Sequence, residues 1–323
     1  LYSYVFSLSD LKSLIESVTP RDVIVYDDYR FIVAEIRVGF TISYSELESI
    51  ISLCSSGSSG ITSLDLGLSS VFIEFSNGFC RVSSSLYSYV FSLSDLKSLI
   101  ESVTPRDVIV YDDYRFIVAE IRGSRFYKLV SINGGAPTVE INGIHMHRVK
   151  DISPWIDAKL KVRALGVSGG RVLDICTGLG YTAINSLVSG AREVYTIEVD
   201  ENILTLASMN PCSDKLMSSV IKIILGDAVD VIREFRDNSF NYIIHDPPRF
   251  TKETGELYST RFYSELYRVL KPGGRLYHYT GEPGRVRGLN FPSKTASKLR
   301  DVGFIVKRYD PRSQGVLAYK PRI

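Results

Sequence analysis

Residues 172–183 read VLDICTGLGYTA. An apolar run from Arg171 to Ile175 carries an acidic residue, Asp174, near its end. A tight turn with Gly178-Leu179-Gly180 follows, and Tyr181 to Val188 has the pattern of a short helix closed by Gly190. Strand, glycine turn and helix make the first unit of a doubly wound α/β sheet. The glycines let the backbone come close to a ligand at the carboxyl end of the strand. The helix N-terminus offers free N–H groups and a partial positive charge there. A plain tight strand-to-helix turn would use the same glycines, so the reading depends on the strands downstream.

The next strand, VYTIEVD (194–200), reaches Glu198 about twenty residues after the glycines. A carboxylate at that place can hold both ribose hydroxyls of a nucleoside. A third strand, VIKIIL (220–225), runs into Gly226-Asp227-Ala228, and a fourth, FNYIIH (240–245), into Asp246-Pro247-Pro248. Strands alternating with helices, with polar residues at their carboxyl ends, predict one ligand crevice. The chain has no G-K-[ST] lysine at the turn, which argues against a nucleoside triphosphate.

On these residues the chain resembles class I S-adenosylmethionine-dependent methyltransferases over roughly 150–323. The resemblance implies an α/β fold, a Rossmann-like doubly wound methyltransferase sheet, with S-adenosyl-L-methionine as cofactor. It implies that Asp174, Thr177, Gly178, Leu179 and Gly180 cradle the methionine part. Glu198 would bind the ribose, and Asp227 with Ala228 would meet the adenine. More narrowly, TVEINGIHMHR, VLDICTGLGYTA, HDPPRF and FYSELYRVLKPGGRLYHYTG are similar to a group of predicted archaeal methyltransferases. That likeness supplies no substrate.

Asp246-Pro247-Pro248-Arg249-Phe250 falls where many of these enzymes hold the target. Members that methylate amino groups carry a related [DN]-P-P-[aromatic] motif, whose oxygens accept from the amine while the aromatic stacks on the base. Here Arg249 fills the fourth position and Phe250 comes one later, which weakens the exocyclic-amine reading. Asp246 remains a catalytic candidate that accepts a proton or orients an acceptor nitrogen. The prolines also have a purely structural use, fixing the exit from the strand.

Of the four histidines, His245 immediately precedes Asp246 and is the second catalytic candidate; His278 lies in LYHYTG at the end of the next strand. His145 and His147 stand two apart, so an extended chain puts both imidazoles on one side, for substrate contact or for anchoring. Substrate contacts are thus expected from Pro247, Pro248, Arg249, Phe250, His145, His147 and His278. Four histidines and Asp246 have the donor types for a metal, but the family resemblance requires none and none is expected. Cys176 lies in the glycine turn and Cys212 after a helix, so no cysteine nucleophile follows the fourth strand.

The 323 residues suit one to three domains. No apolar run reaches the ~18 residues of a membrane span, and no signal peptide is visible, although the sequence opens on Leu and not on an initiator Met. The four cysteines show no C-x-x-C spacing, which argues against zinc and for a reducing, cytoplasmic setting. Residues 1–37 recur without a change at 86–122. Each copy predicts a helix, SLSDLKSLIES, then strands DVIVYDD and YRFIVAEIR. The second copy runs on into RFYKLVSI and is taken as the native one; the first is read as surplus, or able to swap for it. Between them lie a helix, YSELESIISL, a Ser/Gly loop at 55–60, and strands SLDLGL and SVFIEFSNGFCRV with a hairpin turn at Asn77-Gly78. The expected domains are the duplicated segment 1–37, an α+β accessory domain at 38–140 for substrate positioning or homodimerisation, and the methyltransferase domain at 141–323.

PWIDAKLKVRALGV reads as a helix with Pro154 at its start. Tyr263, Leu266 and Leu270 make one helix face, ended by Pro272-Gly273-Gly274, and the tail GFIVKRYD with GVLAYKPRI reads as the antiparallel pair that finishes a methyltransferase sheet. Charge separates the halves: residues 1–122 hold 9 Lys+Arg against 16 Asp+Glu, and 123–323 hold 29 against 20. A basic catalytic half suits a polyanion such as tRNA or another RNA, although scattered surface cations also serve solubility. The densest part has Arg285, Arg287, Lys294, Lys298, Arg300, Lys307, Arg308 and Arg312. Two alternatives stand beside an RNA methyltransferase. LYSTRFYSELYRVLKPGGRL, VYTIEVDENIL and GDA are also similar to spermidine-synthase-type aminopropyltransferases, which carry a longer glycine-rich turn and an acidic amine pocket. The other is a non-catalytic cofactor- or RNA-binding module, which the presence of Asp174, Glu198, Asp227 and Asp246 together opposes.

Overall fold

The computed structural model describes residues 39–112, 115–132, 135–281 and 291–322, with the backbone of Ser3–Tyr4, Asp22–Asp27 and Arg30–Glu35. Two units divide the chain: Arg37–Pro154 with Thr205–Asp214, and Leu1–Ile36, Trp155–Leu204 and Lys215–Ile323. The strands of the first repeat copy are β1 (Ser3–Tyr4), β2 (Asp22–Asp27) and β3 (Arg30–Glu35). Its expected helix lies outside the described residues.

The first unit alternates strands with two helices: β4 (Phe40–Ser43), α1 (Tyr44–Ser55), β5 (Gly60–Leu64), β6 (Ser69–Ser76), β7 (Phe79–Ser83), β8 (Ser88–Ser92) and α2 (Leu93–Ser102). It continues with β9 (Val108–Tyr111), β10 (Phe116–Val118), β11 (Glu120–Arg122), β12 (Phe126–Ile132), β13 (Gly135–Ile141) and β14 (Ile144–His145). The sheets run β10-β9-β4, β11-β12-β13-β14 and β5-β6-β7-β8. α1 begins with a reciprocal cap, in which the Ser43 side chain accepts from the Glu46 N–H and the Glu46 carboxylate accepts from the Ser43 N–H. Asn77 and Gly78 turn the β6–β7 hairpin with φ of 50° and 82°, the left-handed pair that a two-residue hairpin needs.

SLDLGL is not one strand. β5 stops at Leu64, because Asp65 turns to φ 55° and its carboxylate accepts from the Thr41 N–H at 3.0 Å and the Ser69 hydroxyl at 2.6 Å. Cys54 and Cys80 face each other within the core, their Cα atoms 6.0 Å apart. Their separation of 26 residues gave no sign of that approach.

The other unit holds almost all of α3 (Pro154–Leu165), then β15 (Arg171–Ile175), α4 (Tyr181–Val188), β16 (Glu193–Glu198), the start of α5 (Glu201–Ser208), β17 (Ile221–Leu225) and α6 (Ala228–Glu234). β18 (Phe240–His245), α7 (Thr260–Val269), β19 (Leu270–Tyr279), α8 (Phe291–Val302), β20 (Ile305–Asp310) and β21 (Gly315–Tyr319) complete it. The sheet order is β1-β3-β2-β17-β16-β15-β18-β19-β21-β20. β17, β16, β15, β18 and β19 are parallel, and β21 runs antiparallel to β19 and β20. This is the doubly wound sheet with an antiparallel finish that the sequence predicts. The chain runs outward from β15 through β16 to β17 and then crosses back to β18 on the other side of β15, so the crevice opens at the carboxyl ends of β15 and β18.

Leu173, Ile175, Ile197, Ile243 and Leu276 of the strands pack against Ile232, Phe262, Leu266 and Leu299 of the helices. α7 ends at Val269, earlier than its Pro-Gly-Gly signal: Leu270 is fully buried and pairs with Phe240 as the first residue of β19. Among the described residues no helix is long and apolar enough to cross a membrane.

Candidate active site

The turn between β15 and α4 is built from left-handed residues, with φ of 72° at Cys176, 55° at Gly178 and 76° at Gly180. A Cβ on Gly180 would come within 2.3 Å of the Leu216 side chain, so close packing as well as φ demands glycine. Asp174 is fully buried at the end of β15. Its Oδ2 accepts from the Thr196 hydroxyl at 2.8 Å, while Oδ1 is buried with no hydrogen-bond partner among the described residues. Thr196 has one proton and gives it to Asp174, so Thr177, 2.6 Å away, donates to Thr196. Burial pushes the Asp174 carboxyl up to about 7, with the Thr196 and Thr182 hydroxyls pulling the other way. A buried acid with one orphaned oxygen fits the ammonium that the methionine part of S-adenosylmethionine would bring.

Glu198 ends β16. Its Oε2 accepts from the Gly178 N–H at 2.9 Å, and Oε1 from the N–H groups of Val199 and Asp200 at 3.0 and 3.1 Å. Burial raises its pKa against those three donors. The carboxylate therefore braces the glycine turn as well as standing where a ribose is expected. Leu179 is buried beneath the turn. Asp227 is exposed at the end of β17 and caps α6, accepting from the Val229 N–H at 2.8 Å, with Ala228 buried behind it.

Asp246 follows β18, and its N–H donates to Ile175 O at 3.3 Å. Its Oδ2 accepts from Lys161 Nζ at 2.6 Å. Burial raises the Asp246 carboxyl and the Lys161 ammonium opposes this. Lys161 in turn is held well above the usual lysine range by Asp246 and Asp157, whose attraction outweighs the burial that acts first to lower it. Pro247 is buried, whereas Pro248, Arg249 and Phe250 are exposed. Tyr258 donates to Pro248 O at 2.6 Å and its ring meets Phe250 edge-on, so the loop after Asp246 is tied down with the Phe250 ring left in the open.

The structure does not bring the histidines to the crevice surface. His245 is fully buried among Phe262, Tyr263 and His278, and both its ring nitrogens are buried without hydrogen-bond partners among the described residues. Side chains alternate along a strand, so His245 turns into the core where Asp246 turns out. His278 is buried too: its Nδ1 donates to Tyr279 O at 2.8 Å, leaving Nε2 to accept from the Tyr263 hydroxyl at 2.7 Å. Burial pushes His278 down to about 4 and His245 well below the ordinary value. His145, the last residue of β14, and His147 beyond it belong to the other unit, where they meet side chains of β13. His145 Nε2 pairs with Glu140 at 2.8 Å, and His147 Nδ1 meets Thr138 Oγ1 at 2.9 Å. Of the basic tail, Lys298 donates to Tyr258 O at 2.7 Å, and Arg285 and Arg287 lie outside the described residues.

Lys161 and Asp157 escape the sequence reading. The signal was there: Asp157, Ala158, Lys161, Val162 and Leu165 form the buried stripe of α3, so two charges sit inside an apolar face.

A model of the methyltransferase small domain matches residues 156–282. The chain is 52% identical over 207 residues to the uncharacterized protein MJ1233 of Methanocaldococcus jannaschii, covering 63% of this chain and 70% of that one. It is 28% identical over 131 residues to ribosomal RNA large subunit methyltransferase I of Citrobacter koseri, covering 38% of this chain and only 33% of that protein. The solved spermidine synthase of Thermotoga maritima aligns with a TM-score of 0.52 at 17% identity, over 73% of this chain and 76% of that one, a likeness of fold. The chain belongs to the S-adenosylmethionine-dependent methyltransferases, in the family of MJ1233, and its cofactor is S-adenosyl-L-methionine.

Proposed function

We propose that this methyltransferase acts on RNA. The observation that carries the reading is the hydrogen bond from the Asp246 N–H to Ile175 O, which supports Asp246 as the carboxylate that would meet the methyl acceptor beside the turn expected to hold the cofactor. Two facts support an RNA acceptor: the excess of cations in residues 123–323, and the likeness to the Citrobacter koseri protein, a ribosomal RNA methyltransferase.

The cofactor supplies a methyl group already activated on a sulfonium, so the protein's task is positioning and proton handling. Asp174 Oδ1 would receive the ammonium, and Glu198 would face the ribose. Asp246 Oδ1 has no hydrogen bond among the described residues and is not sealed from solvent. It would accept from the acceptor group and orient its lone pair toward the methyl. Phe250, 53% exposed, offers a ring face for a base, and a paired base must leave its stack to reach it.

The test is transfer of labelled methyl from S-adenosylmethionine to unmodified bulk tRNA and rRNA. RNase-sensitive label in the acid-insoluble fraction, lost in Asp246→Ala, is expected; label only in protein or small molecules would defeat the RNA reading. An arm with decarboxylated cofactor and a polyamine addresses aminopropyl transfer, for which no product is expected.

A further inference from the structure

Lys161 joins three elements inside the methyltransferase unit. Its Nζ lies 3.0 Å from Asp157 Oδ2 one turn back on α3, 2.6 Å from Asp246 Oδ2 after β18, and 4.4 Å from the ring centre of Tyr279 at the end of β19. The residue is 6% exposed. An ammonium removed from water is costly unless paired, and here two carboxylates and an aromatic face pair it. Asp157 fixes the ammonium on its own helix, so Lys161 reaches Asp246 as a rigid arm rather than a mobile chain.

We infer that Lys161 is a positioning residue: it clamps Oδ2 of Asp246 and leaves Oδ1 as the oxygen presented to the methyl acceptor. An unclamped carboxylate turns about its last bond and exchanges its two oxygens. One held on Oδ2 by an ammonium, with its backbone N–H on Ile175 O, presents a single oxygen in one direction. The inference rests on the reading of Asp246 as the acceptor-side carboxylate. The charged and titratable groups that face this pair are Asp157 on α3, Asp174 and Cys176 at the end of β15, Tyr258, and Tyr277 and Tyr279 on β19.

The test compares the full chain with Lys161→Met, Lys161→Arg and the double variant Asp157→Asn/Lys161→Met. The double variant keeps the net charge of the triad, so it serves if the single variant fails to fold. Carboxyl ¹³C NMR, with Asp246→Asn to assign the signal, follows the Asp246 titration. Its midpoint should rise by about 1–3 pH units in Lys161→Met, move in the same direction in the double variant, and stay put in Lys161→Arg. The acid limb of methyl transfer to bulk RNA should move with it, and S-adenosylhomocysteine affinity, measured at about pH 9 where Asp174 is ionised with or without the Lys161 charge beside it, should stay within about twofold. An unmoved Asp246 titration would overturn the inference, as would loss of S-adenosylhomocysteine binding in both methionine variants, which would assign Lys161 to the cofactor. Should the wild-type chain label no RNA, the carboxyl titration still decides on the clamp, and the RNA reading alone falls.

Discussion

Asp174 is the residue whose burial has the plainest consequence. Its folded pKa of about 7 stands above the ordinary carboxyl value. Between about pH 4 and that value the folded state holds a proton that the unfolded chain has lost, so this group's contribution to stability declines as pH rises through the window. Only the ionised form can receive an ammonium. S-adenosylhomocysteine affinity should therefore fall roughly tenfold from about pH 8 to about pH 6, measured by calorimetric titration. Asp174→Asn should remove that pH dependence, weaken binding at least about tenfold, and raise the thermal midpoint of the unliganded protein at pH 8. His278 carries the opposite sign. Its pKa near 4 means that the folded state resists a proton the unfolded chain accepts, so its contribution to stability is lost as pH falls from about 6.5 toward 4. Imidazole NMR should find it an Nδ1–H tautomer that does not titrate above about pH 5; titration near 6.5 would contradict the buried cage. The acids at the strand ends were legible in the sequence because strand ends are where such sheets bind. The burial of His245 was not, since one step along a strand exchanges core for crevice, and neighbouring residues read alike.

At the scale of elements, glycine separates conformation from packing. Gly78 turns its hairpin at φ 82° with nothing within 4 Å of an added Cβ, whereas Gly180 combines φ 76° with a 2.3 Å approach to Leu216. Gly78→Ala should cost about 1 kcal/mol, a backbone effect alone. Gly180→Ala should cost at least about 2–3 kcal/mol through strain plus overpacking, and should displace the start of α4. Denaturant titration of both variants checks the order; equal costs would contradict it. The strands of the parallel sheet were legible because they are continuous apolar runs bounded by polar strand ends, and Arg171–Ile175 and Phe240–His245 form as read. The boundaries that shifted have local causes. Leu270 trades a helix position for a buried place beside Phe240, and Asp65 breaks SLDLGL by capturing an N–H from a strand distant in sequence.

At the scale of the molecule, the two repeat copies share one hairpin and differ around it: β1 pairs with β3, whereas its counterpart at the start of β8 pairs with β7. β2 with β3 and β9 with β10 form the same antiparallel pair, Tyr26 opposite Phe31 and Tyr111 opposite Phe116. They belong to different units, the first copy extending the sheet edge beside β17. Sequence identity fixes the hairpin's register but not which edge it joins, which is why the placement could not be read in advance. We propose that the first copy is dispensable for the cofactor site: Asp174, Glu198, Asp227 and Asp246 stand on or just after β15–β18. A chain lacking residues 1–37 should bind S-adenosylhomocysteine within about twofold of the full chain. The central claim is that the carboxyl ends of these strands form the cofactor site, and calorimetric titration of S-adenosylhomocysteine into the full chain and Glu198→Ala tests it most directly. One saturable site in the full chain, weakened at least about tenfold in the variant, is the predicted result. No binding by the full chain, or equal binding by both, would contradict it.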